Sequence, residues 1–233
     1  PTAVANPAAQ KVVAGMKLVP GFQAELIAAE PDLHQPVAMA IDERGRLWVA
    51  EAYGYPNRQP EGQGKDRIII FEDKNGDGVF ETKKVFAEKL NLVSGLELGF
   101  GGVWVGAAPH LLFIPDGNHD DVPDGPPQVL LDGWGFQDTH ETLNSFTWGP
   151  DGWLYGRHGI TDTSAVGAPG TPMEKRLSSM VLGKILKPVM EEDEEEGNEE
   201  ERRRRWHGEG GDGHRLIGPC PDRTGYFHFL ESK

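Results

Sequence analysis

Oxygen-bearing side chains recur at a fixed spacing in two short segments of the chain. In DKNGDGVFE, Asp73, Asn75 and Asp77 occupy positions 1, 3 and 5, Gly78 position 6 and Glu81 position 9. In DGNHDDVPD, Asp116, Asn118, Asp120 and Asp124 repeat positions 1, 3, 5 and 9, with Asp121 where the first copy has glycine. Hard cations such as calcium take several oxygen ligands, and helical calcium loops open with this 1-3-5 pattern. Those loops also require a bidentate Glu at position 12, where the first copy has Lys84. A helical sensor is thereby excluded. The flanks RIIIF and KKVF predict strands, so the segments read as calcium-type hairpin loops with a structural role. Asp, Asn and Gly are also ordinary turn residues, so metal-free turns are the competing explanation.

A second concentration of chemistry lies in THETLNSFTWGPDGWLYGRHGITD, which holds His140, Glu141, Asn144, Arg157 and His158 around one expected strand pair. A histidine beside a carboxylate can be tuned as a general base near neutral pH. His140 is the catalytic candidate. Glu141 can equally be a solvated carboxylate, and His158 can cap a strand end.

Short β-rich runs separated by polar turns must position these groups. FQAELIAAEP alternates like a strand, and PVAMAIDERGRLWVAEA reads as strand, tight turn at Asp42–Gly45 and strand. RIIIFEDKNGDGVFE aligns without a gap on HLLFIPDGNHDDVPD at an offset of 43 residues. AIDERGRLWVAE and TWGPDGWLYGRH share an apolar–turn–Gly–apolar frame, and LELGFGGVWVGA supplies a third inner-strand copy. A period of about 40 to 50 residues holding several strands is the signature of β-propeller blades. The fold expected is all-β: an incomplete β-propeller of about three blades over residues 16–172. Residues 1–15 form a flexible lead-in. Residues 173–233 form a charged low-complexity tail, where an acidic run precedes four arginines, and such blocks are usually disordered.

Composition narrows the partners. The 233 residues include 31 Gly and 18 Pro and carry a formal charge of −14, which opposes binding to nucleic-acid phosphates. Cys220 is the single cysteine, so an internal disulfide and a Cys-x-x-Cys-His haem attachment are both excluded. No apolar run is long enough for a transmembrane segment.

The segments VPGFQAELIAAEP, GRLWVAEAYGYP, PEGQGKDRIIIFEDKNGDGVFE, GLELGFGGVWVG and HETLNSFTWGPDGWLYG occur in that order. Together they resemble a bacterial family, the membrane-bound dehydrogenase N-terminal domain. More distantly they are similar to the β-propeller of soluble quinoprotein glucose dehydrogenase. The resemblance covers about Met16 to Pro172. It implies an extracytoplasmic, periplasmic oxidoreductase acting on a sugar or polyol with pyrroloquinoline quinone and calcium. It also implies that His140, just before TWGPDGWLY, is the base that takes the hydroxyl proton. The quinone ligands of that family come from later blades and match no position here, and the haem domain of the relatives is absent from this sequence. Propellers close with at least four blades, so three imply a truncated fragment. The alternative function is a non-catalytic, calcium-stabilised propeller module that binds carbohydrate or protein.

Overall fold

The computed structural model describes residues 6–140, 142–150, 152–159, 162–179, 184–189, 215–219 and 226–231. The chain is mostly β, as expected, and is built from antiparallel sheets, none of them closed into a barrel. The first sheet is a four-stranded meander of β1 (Pro36–Ile41), β2 (Leu47–Glu51), β3 (Asp66–Glu72) and β4 (Thr82–Leu90), in that spatial order. The second repeats the plan with β5 (Val93–Leu98), β6 (Gly102–Ala107), β7 (His110–Pro115) and β8 (Gln128–Asp132). The third begins with the hairpin β9 (Asn144–Trp148) and β10 (Leu154–Arg157). A two-stranded ribbon, β11 (Ser164–Val166) with β12 (Leu177–Ser179), follows and meets the end of β8 through paired backbone bonds between Asp132 and Gly167.

The sheets stack face to face because their strands are apolar on both sides. Side chains alternate across a strand, so each strand serves two interfaces. On β6, Val103 and Val105 pack against Trp48, Ile68 and Ile70 of the first sheet. The intervening Trp104 instead joins Phe146 and Leu154 of the third sheet. Leu111 and Phe113 of β7 alternate with Leu112 and Ile114 in the same way. The continuous run HLLFIP thus marks a strand buried on both faces. The inner edges also converge, since β1 packs beside β5 and β5 beside β9.

Three local outcomes differ from the sequence reading. Phe22–Pro31 is not a strand. Ala28 and Leu33 instead cover Val49, Ile69 and Phe71 on the outer face of the first sheet, so the segment is apolar without a strand partner. Within the Ala-rich lead-in, Pro7–Ala14 form helix α1, capped by Asn6, whose side chain accepts from the N–H groups of Ala8 and Ala9. Within 173–233, β13 (Lys184–Val189), β14 (Arg215–Pro219) and β15 (Tyr226–Glu231) extend the third sheet in the order β14-β15-β13-β10-β9. The acidic run and the four arginines lie outside the described residues. Among the described residues, no helix is long and apolar enough to cross a membrane.

Candidate functional site

The meander connectivity sorts the connections to two ends of the stack. The segments that lead into β1, β5 and β9 lie at the same end as the long β2–β3 connection. The β1–β2 and β3–β4 connections, and their counterparts in the second sheet, lie at the other. At the first end is an open cleft of ≈ 550 Å³, lined by Val37, Met39, Tyr55, Ser94, His140 and Asn144 among others. His140 reaches it from the β8–β9 connection. Its ring Nδ1 is 3.1 Å from Asp138 Oδ1, and its backbone N–H donates to the same oxygen at 3.0 Å. Tyr55 meets the imidazole edge to face, with ring centres 5.7 Å apart at 88°. His140 remains largely exposed, so a ligand can reach it.

Asp138 is itself held in place. Its N–H donates to Asp162 Oδ1 at 2.8 Å. Asp162, His158 and Ser164 form a buried cluster, with Ser164 Oγ 3.1 Å from His158 Nε2 and accepting from the N–H of Gly135 at 2.9 Å. A nucleophilic triad would place the carboxylate on the opposite imidazole nitrogen from the hydroxyl. Here Asp162 Oδ2 lies 4.0 Å from the same Nε2, and Nδ1 faces the carbonyl of Gly159 at 3.1 Å. The trio therefore anchors the loop that carries Asp138 and His140, and His158 is a structural member of it. Glu141 lies outside the described residues.

The backbone after His140 is pressed onto the second sheet. An added Cβ on Gly106 would sit 2.2 Å from the carbonyl oxygen of Leu143, so only glycine permits this approach. Ser145 adopts φ 54, inside a register shift of the β9–β10 pair. Asn144 Nδ2 donates to the carbonyl of Thr142 at 2.6 Å. Thr142 lines the same cleft with only 1% of its surface exposed, and its Oγ1 is buried without a hydrogen-bond partner among the described residues.

Both calcium-type loops lie at the opposite end, as the β3–β4 and β7–β8 connections. They share one hydrogen-bond pattern. The carboxylate at position 1 accepts from the N–H groups at positions 5 and 6: Asp73 from Asp77 and Gly78, Asp116 from Asp120 and Asp121. The Asn75 and Asn118 carbonyls accept from the N–H of Asp77 and Asp120. Glu81 and Asp124 at position 9 accept from Lys74 and Gly117. Asp121 adopts φ 63 where Gly78 has φ 88, so the turn survives the loss of glycine. The Gly78 N–H above all holds the Asp73 carboxyl below the ordinary carboxylate range, whereas burial pushes Asp116 upward. The donor set suits a hard cation. In this conformation the side chains are turned to backbone N–H groups. No cluster of three or more His, Cys, Asp or Glu gathers as a metal site among the described residues.

The second loop is also tied to the first sheet. Arg46 donates from Nε to Asp42 Oδ2 and from Nη1 to Asp121 Oδ2, both at 2.7 Å, while Trp48 Nε1 donates to Asp42 Oδ2 at 3.0 Å. Lys84 Nζ donates to the carbonyl of Asp120 at 2.9 Å. Burial opposes charge on both partners of the Arg46–Asp42 pair. It is outweighed by these bonds, which raise Arg46 and lower Asp42 relative to their ordinary values.

A family model described as a domain of unknown function, DUF7133, matches residues 8–207. The chain belongs to that family. The match spans the first two sheets and the β9–β10 hairpin, and so includes the His140 cleft and both loops of this DUF7133 member. No curated protein matches the chain, and no solved structure does either.

The quinone implied by the sequence resemblance is a tricarboxylate and needs cationic or strongly donating partners. The described lining of the cleft includes no Lys or Arg. The described residues of the lining do not fit that group. Sequence reasoning singled out His140 but not Asp138 or Tyr55, which the structure places beside it. An Asp two positions before a His was the only local signal for the first, and Tyr55 arrives from a distant connection.

Proposed function

We propose that the three sheets are successive blades of a dehydrogenase-like β-propeller and that the His140 cleft binds a sugar or polyol. The convergence of β1, β5 and β9 along one line supports the blade reading, because inner strands surround the axis of such a fold. The observation that carries the site is His140 paired with Asp138 at the mouth of a cleft lined by several hydroxyl side chains and the amide of Asn144. With Nδ1–H donating to Asp138, Nε2 holds the lone pair that accepts a proton from a bound hydroxyl. This is the proton half of alcohol oxidation.

Reduction of an added two-electron acceptor dye by sugars and polyols tests the catalytic reading, the dye taking the hydride as His140 takes the proton. His140→Ala should lower that rate by about 10²-fold or more. A rate unchanged by the substitution would sink it. The absence of Lys and Arg among the described lining residues favours a second reading, a non-catalytic module that binds carbohydrate. In that case ligand binding survives His140→Ala and no dye is reduced. Calcium at the hairpin loops belongs to both readings. A rise in the unfolding midpoint on adding calcium supports it, and an unmoved midpoint counts against it. The resemblance also implies a periplasmic location, which fractionation of a host cell with an antibody to the chain would test.

A further inference from the structure

Two features of the His140 cleft are left over once it is read as a polyol site. The first is the hydroxyl of Thr142. It lines the cleft, its residue is 1% exposed, and its Oγ1 has no hydrogen-bond partner among the described residues. A buried hydroxyl without a partner carries a desolvation cost that a bound hydroxyl or water would remove. The second is the wall formed by β1. Val37 and Met39 both line the cleft, and both are exposed. They are 43% and 72% exposed, unlike the buried apolar side chains of β2 and β3. Tyr55 adds an aromatic ring next to His140. The cleft thus has one wall of hydrogen-bonding groups, from Thr142, Asn144 and His140, and one open apolar wall.

We infer that the ligand is an amphipathic hydroxyl compound, a sugar or polyol bearing an apolar substituent, rather than a free sugar. Its hydroxyls meet Thr142 Oγ1 and His140, and its apolar part covers Val37 and Met39. Met39 is the specificity-determining residue. A free sugar would leave the β1 wall wet, whereas an aryl or alkyl group removes that surface from water at a gain of roughly fourfold in affinity per buried methylene. The inference rests on the polyol reading of the cleft.

The experiment is calorimetric titration of the full chain with glucose and with phenyl β-glucoside, in wild type, Met39→Ser and Thr142→Val. Wild type should bind the phenyl glucoside at least about tenfold more tightly than glucose. Met39→Ser should reduce that preference to about twofold, with the unfolding midpoint kept because Met39 is exposed and its loss does not disturb the fold. Thr142→Val should weaken both ligands about tenfold yet leave the unfolding midpoint of the free protein equal or higher, since it removes a buried hydroxyl that has no partner. Equal affinity for the two ligands, or a preference that survives Met39→Ser, overturns the amphipathic assignment and leaves the polyol site standing. Binding of neither ligand overturns the polyol reading and this inference with it.

Discussion

Asp66 accepts backbone N–H bonds from Gly54 at 2.7 Å and from Val93 at 2.9 Å, with none of its surface exposed. One carboxylate thereby fixes the start of β3, the long connection that carries Tyr55, and the start of β5. Asp66→Ala orphans two amides and should cost about 2–4 kcal/mol, measured by urea unfolding. Burial pushes the Asp66 carboxyl above its ordinary range, against the backbone bonds that lower it. The folded state then holds that proton more tightly than the unfolded chain. The stability linked to Asp66 is therefore full below the ordinary carboxylate value and falls as pH rises through the raised one. Asp66→Ala should lack this decline, and a wild-type decline retained in the variant would assign it elsewhere. The place of His140 at the entry to a strand pair was legible in the sequence because the His precedes a strong strand–turn–strand signal. The tie from Asp66 to Gly54 and Val93 was not, because it joins residues 12 and 27 positions away through backbone groups that have no sequence signature.

Strands and turns were the most legible elements. The turns at Asp42–Arg46 and Gly149–Trp153 close with the same backbone bonds, and each places a glycine at positive φ, Gly45 and Gly152. The misreading of Phe22–Pro31 has a physical source: alternation reports a half-buried segment, not the presence of a strand beside it. Neither did the sequence reveal that Asp121 bonds to Arg46 in the other sheet. Removing one member of a buried ion pair leaves an uncompensated charge, so Arg46→Ala should destabilise by about 3–5 kcal/mol. Asp42 is held below its ordinary value, so its contribution is present above the ordinary carboxylate range and disappears as pH falls through the lowered value. An acid titration of the midpoint should therefore be flatter in Arg46→Ala than in wild type. Gly106→Ala tests another joint. Its new methyl would meet the Leu143 carbonyl, so it should lower the midpoint and weaken ligand binding at the cleft together. A stable variant with intact binding would show that the β9 segment has room to move.

At the scale of the chain, the sequence repeat announced a β-rich fold because several short strands with polar turns recur within each period. The number of residues per repeat was less legible, since the long β2–β3 connection has a two-residue counterpart, Ala108–Pro109, between β7 and β6. The strands β13, β14 and β15 were hidden by the charged run between them, which dominates composition there. The stack also separates the molecule's two chemistries, with the cleft at one end and the paired loops at the other. The loops share a backbone pattern, yet position 6 is glycine in one and Asp121 in the other. Arg46 is bonded to Asp121, and Lys84 Nζ lies 3.9 Å away from it. A divalent ion at the second loop would sit beside two fixed positive charges, held at Asp121 and at the Asp120 carbonyl, whereas the first loop presents Gly78 at position 6. Equilibrium dialysis should accordingly return a stoichiometry of one calcium per chain. A value of two would mean that those charges do not compete, and zero would leave both loops as turns alone.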